Sequence, residues 1–177
     1  MTPSIDQRLE DVYHAPSRAA LIAAYDDWAA SYDIDMQGIG YIHPAIITGL
    51  VSRYILRHNA AILDAGVGTG TIGQLLDIMG FSNLLGLDMS EAMLARANAR
   101  KIYQELKLCV LGEALAFETA SIDAIVSTGT FTTGHAPASA FDELVRITKS
   151  GGHLILRWEQ KFGAKLGLIK SLKALRH

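Results

Sequence analysis

Residues 62–70, ILDAGVGTG, begin as an apolar run, reach an acid at Asp64, and then alternate glycine with small residues. This is the pattern of a strand that passes through a turn without side chains into a helix. Gly66, Gly68 and Gly70 let a ligand approach the backbone and let the following helix N-terminus face it. The overlapping string GTGTIG, residues 68–73, is also a literal dinucleotide fingerprint. Which nucleotide the turn holds is therefore left to the rest of the chain.

From Ala60 onward, short apolar runs alternate with helical patterns. AAILDAG, NLLGLDMS, LKLCVLG, SIDAIVST and GGHLILRW read as strands bounded by Gly, Asp, Ser or Asn. Residues 71–80, 90–101, 138–149 and 160–175 read as the helices between and after them. EALAFETA, between the third and fourth strands, holds no clear helix. Strands that are nearly all apolar in their centres and alternate with helices imply a parallel sheet covered on both faces. The expected fold is thus α/β, a Rossmann-like doubly wound sheet whose ligand lies beyond the carboxyl ends of the strands.

Asp88 ends the second strand, 88 − 70 = 18 residues after Gly70. An acid there can accept both hydroxyls of a ribose. Reading GTGTIG as a nicotinamide site would extend the first strand through LDAGV and bury Asp64 in mid-sheet without an evident partner, which is costly. If the turn begins at Gly66 instead, Asp64 reaches the ligand edge, where it can accept from turn amides or from an ammonium. A dehydrogenase also needs further strands and a substrate domain, while about 58 residues precede the first strand. The residues favour a nucleoside that carries methionine.

Upstream, RAALIAAYDDWAASYDIDM, residues 18–36, places Leu21, Ile22, Tyr25, Trp28, Ala29 and Tyr32 at helical spacing with acids between them. GIGYI breaks this helix, and Pro44 starts another over about 44–58. With 16 Lys plus Arg against 18 Asp plus Glu, the net charge is −2. That lacks the basic footprint of a nucleic-acid binder and suits a small-molecule partner. The lone Cys109 excludes an internal disulfide and a multi-Cys metal site, so no metal is expected and the setting reads as reducing and cytoplasmic. The N-terminal residues lack a signal-peptide pattern, and no run is long enough to span a bilayer.

LDAGVGTG, LLGLDMSEAMLARA, SIDAIVSTGTF and DELVRITKSGGHLIL together resemble the successive motifs of class I S-adenosylmethionine-dependent methyltransferases. YDDWAASYD, IYQELKLCVLGEAL and GHAP are similar, more narrowly, to the methyltransferase-like family of the Williams-Beuren syndrome region and its bacterial relatives. The resemblance covers roughly residues 20–157 and implies a five-stranded sheet of order 3-2-1-4-5. It implies that residues 1–59 form N-terminal helices over the cofactor site and that residues 60–177 form the S-adenosylmethionine-binding core, the two being one folding unit. Gly66, Gly68 and Gly70 would wrap the methionine and ribose, with Asp64 supporting the loop. Asp88 would hold the ribose, and Met89 would flank adenine. Glu113 stands where relatives place a group near the adenine amine, or is simply a solvated loop acid. Thr128, Gly129 and Thr130 would lie beneath the sulfonium. Tyr25, Trp28 and Tyr32 belong to a lid whose aromatics approach the cofactor, a sulfonium being a cation that π faces attract; the alternative is a face that merely packs the helix.

His135, after the fourth strand, is the candidate proton acceptor, with a surface-loop histidine as the plainer reading. No NPPY-like string follows the fourth strand, which counts against base amino methylation by that route. The sixth and seventh strands usual in this class are expected to be missing, their place taken by a basic amphipathic helix. Three functions stay open: methyl transfer to a small acceptor, S-adenosylmethionine or S-adenosylhomocysteine binding without turnover, and NAD binding.

Overall fold

The computed structural model describes residues 3–132, 135–160 and 163–169, with side chains as far as Arg157. Four helices come first: α1 (Ile5–Tyr13), α2 (Arg18–Trp28), α3 (Tyr32–Gly38) and α4 (His43–Tyr54). Then follow β1 (Ile62–Ala65), α5 (Thr71–Ile78), β2 (Leu84–Asp88), α6 (Glu91–Ala99), β3 (Tyr103–Leu108), β4 (Ile122–Phe131), α7 (Ala140–Ile147), β5 (Thr148–Gln160) and β6 (Gly163–Ile169). The sheet order is β3-β2-β1-β4-β5-β6. The first five strands are parallel in the expected order 3-2-1-4-5, while β6 runs antiparallel to β5.

Alternation along each strand divides the core between two faces. Leu63, Ile125 and Leu154 join α7 on one face through Leu144 and Ile147. Their neighbours Ile62, Ala124, Val126 and Ile155 pack on the other against Ile47 and Val51 of α4 and Ile72 and Leu76 of α5. This is why the strands read as continuous apolar runs. Within residues 1–59, α4 is therefore layered onto the sheet, whereas α1 to α3 gather a separate small core around Val12, Leu21 and Trp28.

Local signals set most helix starts. Ser4, Ser17 and Ser90 each accept from an amide three residues on and cap α1, α2 and α6. Pro44 stands in the first turn of α4. The single helix expected over residues 18–36 is instead broken between Trp28 and Tyr32. Asp35 takes the Trp28 indole N–H and the Ser31 hydroxyl, each at 2.8 Å, and this stabilises the bend between α2 and α3.

Two expectations in the sheet need correction. LKLCVLG holds only the end of the third strand: β3 begins earlier, at Tyr103, and ends at Leu108, while Cys109 to Leu111 lie beyond it, where they line a cavity. The apolarity of that run reflects cavity lining, not strand burial. The helix expected over 160–175 is absent from 163–169, which form β6; residues 161–162 and 170–177 lie outside the described residues. Gly163 and Gly167 disfavour a helix there, and the exposed amides and carbonyls of β5 offer a ready partner for a returning strand. A sixth strand is thus present where none was expected.

Candidate functional site

β1 ends at Ala65, and the chain turns at Gly66, Gly68 and Gly70, all with positive φ (82°, 52° and 85°). A Cβ on Gly66 would stand 2.1 Å from Thr130 Oγ1, so the turn closes against the end of β4 only without a side chain. At Gly68 a Cβ would meet nothing within 4 Å, and the backbone there faces open space. Gly70 caps the N-terminus of α5, which begins at Thr71.

The turn is held from β2. The amides of Gly66 and Val67 donate to the Leu87 carbonyl at 2.9 Å. Asp88 accepts from Gly68 N at 2.8 Å and from Ser90 N at 3.0 Å. Burial raises its pKa, though the amides of Ser90 and Gly68 oppose that rise. Each carboxylate oxygen keeps a second lone pair for a ligand. Asp64, by contrast, takes its hydrogen bond from Tyr103 and none from the turn amides, one of the two roles its position allowed. It is 3% exposed; its Oδ2 accepts from the Tyr103 hydroxyl at 3.1 Å, and its Oδ1 has no partner among the described residues. Burial pushes its pKa up to about 8.

Two cavities flank the turn, of about 160 and about 290 Å³, and share Tyr32, Gly66, Gly68 and Thr128. Together they approach the size of a pocket for a nucleoside-sized ligand, roughly 300–1,000 Å³. The smaller brings together most of the residues singled out from the sequence: Tyr25, Tyr32, Asp88, Met89, Gly66 and Gly68, with Thr128, Gly129, Thr130 and His135 at the β4 end. Gly70 is part of the same turn but faces away, toward Arg100 and Tyr103.

Besides Gly70, three candidates line neither cavity: Asp64, Trp28 and Glu113. Trp28 is 1% exposed in the core of α1 to α3, its ring 4.9 Å from that of Tyr32, and lines neither cavity. Glu113 is an exposed acid paired with Arg18 at 2.6 Å, and it too lines neither cavity. The helical period marked Trp28 correctly as inward-facing, but inward there means toward the α1 to α3 core.

Polar contacts hold α2 and α3 over the site. Asp26 accepts from Ser90 Oγ at 2.5 Å and from Ala92 N at 3.2 Å at the start of α6. Asp33 takes the Thr69 hydroxyl at 2.5 Å and pairs with Arg100 at 2.7 Å. His135 lies between the Tyr25 hydroxyl, 2.9 Å from Nε2, and Thr132 Oγ1, 2.8 Å from Nδ1. Tyr25 is pushed far up by burial and stays a phenol. Tyr41, which no pattern in the sequence singles out, reaches Thr128 Oγ1 at 2.9 Å. The signal for Tyr41, Arg100 and Tyr103 lies only in their contacts.

Gly73, the third glycine of GTGTIG, has its own occupant: a Cβ there would lie 2.1 Å from the Tyr103 hydroxyl. Among the described residues no helix is long and apolar enough to cross a membrane, and no group of three or more His, Cys, Asp or Glu could hold a metal ion.

Residues 63–156 match the methyltransferase domain family. The chain is 34% identical over 157 residues to methyltransferase-like protein 27 of Homo sapiens, covering 87% of this chain and 64% of that protein. It is 27% identical over 150 residues to a malonyl-[acyl-carrier protein] O-methyltransferase of Marinomonas sp., covering 82% and 53%. A crystal structure assigned as an S-adenosyl-L-methionine-dependent methyltransferase of Methanococcus maripaludis superposes with a TM-score of 0.62 at 25% identity, covering 74% of this chain and 62% of the other. The chain thus spans less than two thirds of the length of these relatives.

Proposed function

Because this chain belongs to the class I S-adenosylmethionine-dependent methyltransferase family, we propose that it binds S-adenosylmethionine in the paired cavities and transfers the methyl group to a small-molecule acceptor. The observation that carries this reading is the buried Asp64 carboxyl, directly before a glycine turn open at Gly68, whose Oδ1 lacks a partner among the described residues. An orphaned buried acceptor suits a ligand that brings an ammonium, as methionine does and NAD does not.

Bound S-adenosylmethionine supplies a methyl already activated on a sulfonium. The protein's own task is then alignment and exclusion of water. In this reading Asp88 receives the ribose hydroxyls on lone pairs left by its two amide bonds. Met89 and the apolar Cys109 to Leu111 segment flank the base, and Tyr25 and Tyr32 close the site from α2 and α3. Residues 1–59 thus divide in role, with α1 to α3 as the lid and α4 as part of the core. In this reading His135, which contacts Thr132 and Tyr25, receives a proton from the acceptor. The lone cysteine and near-neutral charge support a reducing, cytoplasmic setting and a small acceptor.

Calorimetric titration with S-adenosylhomocysteine and, separately, with NAD tests the reading. Binding of the first alone, tighter than about millimolar, supports it. Binding of NAD alone, or of neither, refutes it.

A further inference from the structure

Asp64 and Tyr103 stand on strands separated by β2, and three local features bring them together. The first is a register shift: Tyr103 pairs with Leu84, yet Leu85 pairs with Glu105, so Gln104 is an extra residue in β3. A bulge of this kind re-aims a side chain. It sets Tyr103 on the sheet face shared by Leu84 and Gly86, and Gly86 is itself in register with Asp64. The second is Gly73, whose missing side chain leaves the notch that the phenol fills. The third is the hydrogen bond itself: the phenol, lodged against Gly73 in the first turn of α5, donates to Asp64 Oδ2 at 3.1 Å.

We propose that Tyr103 is a positioning residue of the cofactor site, which ties down Oδ2 of Asp64 and so presents Oδ1 to the ammonium of a bound methionine-type nucleoside. This rests on the function proposed above. The chemistry is directional. Tyr103 is held as a phenol by burial and by the Asp64 charge, so it always donates and occupies the same oxygen. Without it, the carboxyl could rotate and hold its proton on either oxygen. The groups acting on Asp64 are Tyr103 from β3 and Asp88 from β2, with Arg100 at the end of α6 acting on Tyr103. From the other side β4 brings apolar Val126 into register.

An ammonium is best received by the ionised carboxylate. Asp64 ionises only as the pH rises through about 8, and the Tyr103 hydrogen bond pulls that value down. S-adenosylhomocysteine affinity should therefore strengthen with pH across this range, and Tyr103→Phe should move the rise to higher pH. The experiment titrates wild type and Tyr103→Phe with S-adenosylhomocysteine and with 5′-methylthioadenosine, which keeps the nucleoside but lacks the ammonium. At about pH 7.5 the variant should lose about tenfold in affinity for the first and stay within about twofold for the second. Equal losses for both ligands would reduce Tyr103 to a packing residue, and unchanged S-adenosylhomocysteine binding would overturn the proposal outright. Asp64→Asn provides an independent arm should Tyr103→Phe fail to fold: the pH-dependent rise must vanish in it. Wild type that binds methylthioadenosine but shows no pH dependence toward S-adenosylhomocysteine overturns this inference alone. Wild type that binds neither overturns the site assignment with it.

Discussion

Replacing Asp64 with Asn should stabilise the ligand-free chain at neutral pH while weakening its site. The wild-type carboxyl titrates at about 8 in the fold against 3.8 as a free side chain, chiefly because burial penalises its charge. Below about pH 4 both folded and unfolded chains hold the proton, and the group costs nothing. As the pH rises, the unfolded chain releases its proton while the folded chain keeps it, so stability falls through this window and levels off once the folded group also ionises. One pH unit corresponds to about 1.4 kcal/mol, so about three units of separation by pH 7 amount to a penalty on the order of 4 kcal/mol. Asn has no such proton, yet it retains an oxygen for the Tyr103 hydroxyl. Urea denaturation of both proteins between about pH 4.5 and about pH 8 measures the difference directly. Subtracting one curve from the other removes the shared contribution of Asp88, whose pKa is also raised. The two curves should diverge steadily with pH, the variant being the more stable above neutrality. Parallel curves would refute the assignment of a buried, proton-holding Asp64.

Gly66→Ala should cost the fold about 1–3 kcal/mol, because a φ of 82° strains an L-residue and the new methyl strikes Thr130 Oγ1; thermal denaturation measures it, and an unchanged midpoint would show that the turn has room to relax. Glu143 is held down to about 2 by Arg146 and by the Leu115 amide, so its contribution is full above about pH 4.5 and is lost as the pH falls toward 2. Glu143→Gln should accordingly lower stability at pH 7 and flatten the acid limb of the pH–stability curve. His135→Ala should leave S-adenosylhomocysteine affinity within about threefold and, for any acceptor found, lower turnover by about 10²-fold or more, as removal of a general base does; unchanged turnover would return His135 to a structural role.

The alternation of strands and helices and the glycine turn were legible in the sequence because both depend on local pattern, whereas the strand order 3-2-1-4-5 followed from the family resemblance. Period two in a doubly covered sheet gives apolar runs, and a turn that approaches a ligand must lack side chains. Asp88 was legible for the same reason, since the end of a strand fixes where its side chain can act. The path from Leu108 to Leu111 was not, because an apolar run looks alike whether it enters a sheet or lines a cavity. Nor was β6, whose pairing depends on the open edge of β5 more than on its own residues. Trp28 and Glu113 were placed at the site by position along the chain, but tertiary packing turned one into the α1 to α3 core and paired the other with Arg18.

What the sequence determined by itself was the α/β alternation and the side-chain-free glycine turn, each built from residues within a few positions of one another. What only the tertiary structure decided was the electrostatic state of that turn. A one-residue bulge in β3 and the absent side chain of Gly73 deliver Tyr103 to Asp64 across 39 positions of chain. Whether a buried acid is charged depends on which groups surround it in space, and those groups converge only once the sheet has formed.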